Sequence, residues 1–105
     1  MIEIKRPGWT LTVFSGDQGL DANDDNVDVE VQFVDGTRYG ATLATTRNID
    51  RLMQRDRDSG LESRGLYFWS AGLVVVRDLS IETILSTIER MLEVDDLTQA
   101  FERFD

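Results

Sequence analysis

Val27, Val29, Val31 and Phe33 alternate with Asp28, Glu30 and Gln32. That period of two predicts a strand with one dry and one wet face. Asp35-Gly36 follows, a pair suited to the two positive φ angles of a tight hairpin turn. Beyond it Arg38, Gly40, Thr42 and Ala44 alternate with Tyr39, Ala41, Leu43 and Thr45, which completes a hairpin. Upstream, Trp9 to Phe14 mixes β-branched and aromatic residues and ends at the turn formers Ser15-Gly16-Asp17, so a further strand is expected there. From Ser15 to Asn26 the chain holds Gly16, Gly19, Asn23 and four aspartates, which is loop chemistry.

Ile49, Leu52 and Met53 have helical spacing behind a Thr45/Thr46 cap, and Ser59-Gly60 can end that helix. Asp56 falls on the same face, so the helix is short, frayed or in need of a buried partner for that carboxylate. Leu66-Tyr67-Phe68-Trp69 and Leu73-Val74-Val75-Val76 are continuous apolar runs around Ser70-Ala71-Gly72. They predict two central strands in a hairpin, with Gly72 left-handed and with Phe68 and Trp69 pointing to opposite faces. Ser80 can cap a helix whose stripe is Ile81, Ile84, Leu85, Ile88 and Leu92, with Leu79 stapled on Ile84. Asp96 and Gln99 resemble a capping box before a last helix carrying Leu97, Ala100, Phe101 and Phe104. This order implies an α+β fold in one domain over residues 1–105: an antiparallel β-sheet with two or three helices packed on one face.

Twenty acidic residues stand against eleven basic ones, a net charge of −9, and there is neither cysteine nor histidine. Disulfides, thiolate metal sites and thiol nucleophiles are therefore excluded, and the usual general base and most transition-metal ligands are missing. No apolar stretch approaches a membrane span and the start lacks a signal-peptide core, so a cytoplasmic protein is expected. Direct nucleic-acid binding is disfavoured by the charge, which instead suits a basic partner. No Gly-rich phosphate loop, serine elbow or metal-ligand cluster is present, so neither enzymatic activity nor a cofactor is expected.

The charge is segregated. From Gly8 to Thr37 there are seven acids and no base; residues 38–77 carry seven arginines against Asp50, Asp56, Asp58 and Glu62; residues 78–105 carry two arginines against eight acids. An acidic surface of this kind can imitate a phosphate backbone and steer a basic nuclease toward itself. Asp17, Asp21, Asp24, Asp25 and Asp28 are the candidate partner-binding residues on that reading. The plainer reading makes them a solvated, flexible loop that keeps the protein soluble. Asp21, Asn23 and Asp25 match the first ligand places of a calcium loop, but Asn26, Asp28 and Gln32 stand where the turn glycine, an apolar residue and the bidentate glutamate belong, so no metal is assigned. Arg47, Arg51 and Arg55 share a helix face, with Asp50 and Asp58 as the expected ion-pair partners.

Several short stretches taken together, Asp35-Gly36-Thr37-Arg38-Tyr39, Ala41-Thr42, Asn48-Ile49, Leu52-Met53, Gly65-Leu66-Tyr67-Phe68-Trp69 and Leu79-Ser80, resemble a group of small acidic bacterial proteins without assigned enzymatic activity. The resemblance spans roughly residues 32–92 and leaves the acidic loop uncovered. Chains of this size and charge include immunity proteins of contact-dependent growth inhibition and related polymorphic toxin systems. What this implies is a protein that binds and neutralises one cognate toxin domain. The competing expectation is a non-enzymatic structural or regulatory adaptor.

Overall fold

A computed structural model describes residues 1–61 and 63–104. In chain order the elements are β1 (Ile2–Arg6), β2 (Trp9–Val13), β3 (Asn26–Phe33), β4 (Arg38–Ala44), α1 (Thr46–Ser59), β5 (Leu73–Val75), α2 (Ile81–Glu93), α3 (Leu97–Ala100) and β6 (Glu102–Phe104). The class is α+β, as the element pattern implies. Strand order is β1-β2-β3-β4-β5, and β6 shares the outer edge of β4 with β5: it pairs with Arg38–Gly40, and β5 with Thr42–Ala44. Every pairing is antiparallel except β4 with β5.

The β1–β2 hairpin turns at Pro7-Gly8, where proline fixes its own φ and Gly8 takes φ +89°. Between β3 and β4 only Gly36 has positive φ, so the expected two-residue turn is replaced by a longer loop. Gly36 N–H donates to Phe33 O at 3.0 Å and Phe33 N–H to Thr37 O at 2.9 Å, the pattern of a turn followed by a left-handed glycine. The Asp35 carboxylate accepts from the Thr37 N–H and hydroxyl, which draws its pKa below the ordinary value.

One face of β2, β3 and β4 supplies Leu11, Val13, Val27, Val29, Val31, Ala41 and Leu43 to the core. Cross-strand partners such as Leu11 with Val31 and Val27 with Leu43 keep these side chains in register. Upon them pack α2, through Ile84 and Ile88, and α3, through Leu97, with Phe101 just beyond it. Ser80 caps α2 by accepting from Thr83 N–H at 3.2 Å. The opposite face carries Asn26, Asp28, Glu30, Gly40 and Thr42, and α1 meets it at one end, where Asn26 Nδ2 donates to Asn48 Oδ1 at 2.8 Å.

Three further expectations are corrected. Leu66–Trp69 forms no strand, so the hairpin around Ser70–Gly72 is absent and the central strands are β3 and β4. β5 instead pairs parallel to β4, reached through the α1 connection, and no strand of the described residues lies on its other side, while Leu66, Tyr67 and Trp69 are exposed. Gly72 is left-handed as expected, at φ +68°, but it serves the turn into β5. The second correction is at the C-terminus, where the helix ends at Ala100 and Phe104 lies in β6. The third is that Asp96 makes no side-chain cap; Gln99 Nε2 donates instead to Asp95 O at 2.9 Å. By contrast α1 runs its full expected length from the Thr45 cap to left-handed Gly60. Its Asp56 is buried with partners, Arg55 at 3.2 Å and Ser63 Oγ at 3.5 Å.

Candidate partner-binding surface

The acidic segment between β2 and β3 is tied down along most of its length. Leu20 packs on the core, and Leu79 N–H donates to Ala22 O at 2.7 Å. Asp25 N–H donates to Thr45 Oγ1 at 3.4 Å while Thr45 N–H returns to Asp25 O at 3.2 Å, which fastens the loop to the cap of α1. The expectation of a merely flexible connection is corrected by this anchoring.

The five candidate aspartates are not brought together as one patch. Asp17 lies in an exposed turn. Asp21 is exposed and accepts Asn23 N–H through Oδ1 at 3.0 Å. Asp25 accepts Asn26 N–H at 2.9 Å and Asp21 N–H at 3.2 Å. These carboxylates face the loop's own backbone, an arrangement typical of Asx turns and not of calcium coordination. Asp24 makes an ion pair with Arg51 at 3.1 Å. Thus Arg51 reaches the acidic loop, and Arg55 pairs with Asp56, in place of the expected Asp50 and Asp58. Asp28 stands apart from the loop on the open face of β3, accepting the Thr42 hydroxyl at 2.7 Å.

That open face carries more acid than the sequence reading assigned. Glu30, Gly40 and Glu102 lie in one row across β3, β4 and β6, and Gln32, Arg38 and Phe104 form the next. Gly40 is a steric requirement here, because a Cβ would collide with the Phe104 ring lying across it. Arg38 reaches Glu30 at 3.3 Å and sits 5.9 Å from the Phe104 ring centre. A cleft of about 530 Å³ results, with Gly40 as its floor, Phe14 and Phe104 at its rim, and Asp28, Glu30 and Glu102 supplying three carboxylates. It continues past Asp28 and Thr42 into a cavity of about 320 Å³ beneath α1, bounded by Asn48, Leu52 and Phe68.

Glu30 was within reach of the alternation that exposed Asp28, since both occupy the wet face of one strand. Glu102 and Phe104 were hidden by the helical reading of the C-terminus. A second exposed feature is the segment after α1, where Leu66 is 80%, Tyr67 53% and Trp69 74% exposed while Phe68 turns inward. Among the described residues no group of carboxylates is placed to hold a metal ion, and no helix is long and apolar enough to cross a membrane. Comparison with protein-family models, curated proteins and solved structures gives no match.

Proposed function

We propose that this chain is a non-enzymatic immunity protein that binds a basic toxin domain, of nuclease type, and neutralises it through its acidic surface. The observation that carries this reading is the open sheet face, where Asp28, Glu30 and Glu102 surround a cleft between two exposed phenylalanines. Carboxylates around a concave surface favour an approaching cationic partner over nucleic acid, and the net charge of −9 extends that attraction beyond contact distance. Asp17 and Asp21, exposed at the loop, add to the same field, and Asp24, Asp25 and Asp28 complete the candidate contact set. The compartment this reading assigns is the cytoplasm, where an incoming toxin would act.

The experiment is co-expression with the product of an adjacent toxin-like reading frame, scored by growth and by complex formation. Protection together with a stable complex is expected; neither one appearing would overturn the proposal. An adaptor of structural or regulatory type is the second reading, favoured by exposed Leu66, Tyr67 and Trp69, an apolar surface that needs no basic partner. Binding abolished by Trp69→Ala but indifferent to the acids would select it.

A further inference from the structure

We propose that two copies of this chain associate about a two-fold axis through the outer edge of β5 and the exposed side of α2, extending the sheet of one copy into the other. The surface lies on the α2 side of the sheet, apart from the acidic cleft, and does not depend on the basic-partner reading.

The first observation is the unfilled edge. Gly72 O accepts from Thr42 N–H at 3.0 Å and Val76 N–H donates to Ala44 O at 2.9 Å, so the even-numbered residues here direct their backbone groups to β4. The alternation of a strand turns the N–H and C=O of Val75 the other way, where no strand pairs with β5 among the described residues. Val75 is 51% exposed. Backbone groups of this kind accept an added strand. At the far edge of the sheet β1 is guarded by the charges of Glu3, Lys5 and Arg6, whereas β5 carries only Leu73, Val74 and Val75. An antiparallel copy centred on Val75 pairs that residue with itself, each N–H donating to the other's C=O.

The second observation is independent of the strand. A cleft of about 620 Å³ runs between this edge and α2, lined by Val75 and Arg77 on one side and by Glu82, Ser86 and Arg90 on the other. Glu82 and Arg90 are exposed and stand about two turns apart on one helix face, with Ser86 midway between them. Glu82 makes no ion pair among the described residues, and Arg90 makes one, with Glu93 at 3.0 Å on the open surface. The axis that pairs two β5 edges antiparallel stands perpendicular to the sheet, and it sets α2 antiparallel to its copy on the same side. With Ser86 at that axis, Glu82 of each copy meets Arg90 of the other. The helix face is thus complementary in charge to itself, as an isologous interface requires. A wholly acidic or wholly basic segment would match one of the two charges and oppose the other, which selects a second copy as the occupant.

The test is sedimentation velocity of the full chain across a concentration series, at about 0.15 M salt, where repulsion between two charges of −9 is screened beyond roughly 8 Å. A reversible monomer–dimer equilibrium is expected, with the Val75 N–H gaining protection from hydrogen exchange as the dimer forms. Glu82→Arg and Arg90→Glu, each alone, place like charges at both contacts and should weaken the dimer about tenfold or more. Mixed in equal amounts, the two variants should associate with each other as well as the parent does with itself. Val75→Lys should also favour the monomer, by setting two ammonium groups opposite one another. These substitutions are at exposed positions, and far-UV circular dichroism checks the fold of each. A chain that stays monomeric at every concentration, a dimer indifferent to Glu82→Arg, or two charge variants that fail to associate when mixed would overturn the inference.

Discussion

Replacing Asp25 by alanine should destabilise the protein, whereas the same change at Asp17 should not, although both are acids of one loop. The Asp25 carboxylate accepts two backbone N–H groups, those of Asn26 at 2.9 Å and Asp21 at 3.2 Å, in a half-buried setting. Each such bond is worth ~0.5–1.5 kcal/mol net. Relief of repulsion from neighbouring Asp21 and Asp24 returns a few tenths of a kcal/mol. The loss is then about 1–2 kcal/mol, and for a domain of this size each kcal/mol lowers the midpoint by roughly 4–8 °C. Asp17, exposed and away from the α1 cap, should stay within ~0.5 kcal/mol of the parent. Thermal unfolding followed by far-UV circular dichroism separates the two, and Asp25→Asn, which retains one acceptor oxygen, should fall between them. Equal midpoints for Asp25→Ala and Asp17→Ala would show that the loop is not held by this carboxylate. The consequence for function is practical: neutralising all five aspartates together mixes stability with binding, whereas Asp17, Asp21 and Asp28 can be changed to asparagine with the loop anchors intact.

Ile88→Ala, at a position fully buried between α2 and the sheet, should cost ~2–5 kcal/mol in a denaturant titration. Gly40→Ala should displace the Phe104 ring, visible as large changes in its NMR ring resonances, at a modest stability cost because β6 lies at the sheet edge. The Asp78 carboxylate has its pKa lowered by the Ser80 side chain and then the Ser80 backbone. A lowered folded-state pKa contributes stability above the ordinary carboxylate value, near ~3.9, and loses it as pH falls through the folded value. Asp78→Asn should therefore flatten the stability profile below about pH 4 and leave its slope near neutrality unchanged. Trp69, 74% exposed, should account for most acrylamide-quenchable fluorescence, and Trp69→Phe should shift the remaining Trp9 emission to the blue.

The hairpin of β3 and β4 and the amphipathic α2 were legible because each is a local pattern whose buried set follows a single period, Val27-Val29-Val31 for the strand and Ile84-Ile88 for the helix. Leu66–Trp69 misled because a continuous apolar run looks the same whether buried or exposed. Here three of its four side chains, Leu66, Tyr67 and Trp69, are exposed and the run pairs with no strand among the described residues. Phe104 misled in the opposite way: helical spacing continued past Ala100 while the pairing with Arg38 claimed the residue for the sheet. The acids show the same division. Their concentration before Thr37 is plain in the chain, and so is the chance that Asp21 and Asp25 cap backbone N–H groups close by. That the Asp24 carboxylate pairs with Arg51, that Asp28 stands beside Thr42 in an open cleft and that the Asp25 backbone N–H ties the loop to Thr45 depend on partners 14 or more residues away.

The most direct measurement is the association of the toxin-like neighbour with the parent protein and with the Asp17→Asn/Asp21→Asn/Asp28→Asn variant, followed by surface plasmon resonance across a salt series. The acidic-surface reading predicts an association rate that falls steeply with salt for the parent, and a variant with slower association and a shallower salt slope. The same rates and slope for both proteins would contradict it.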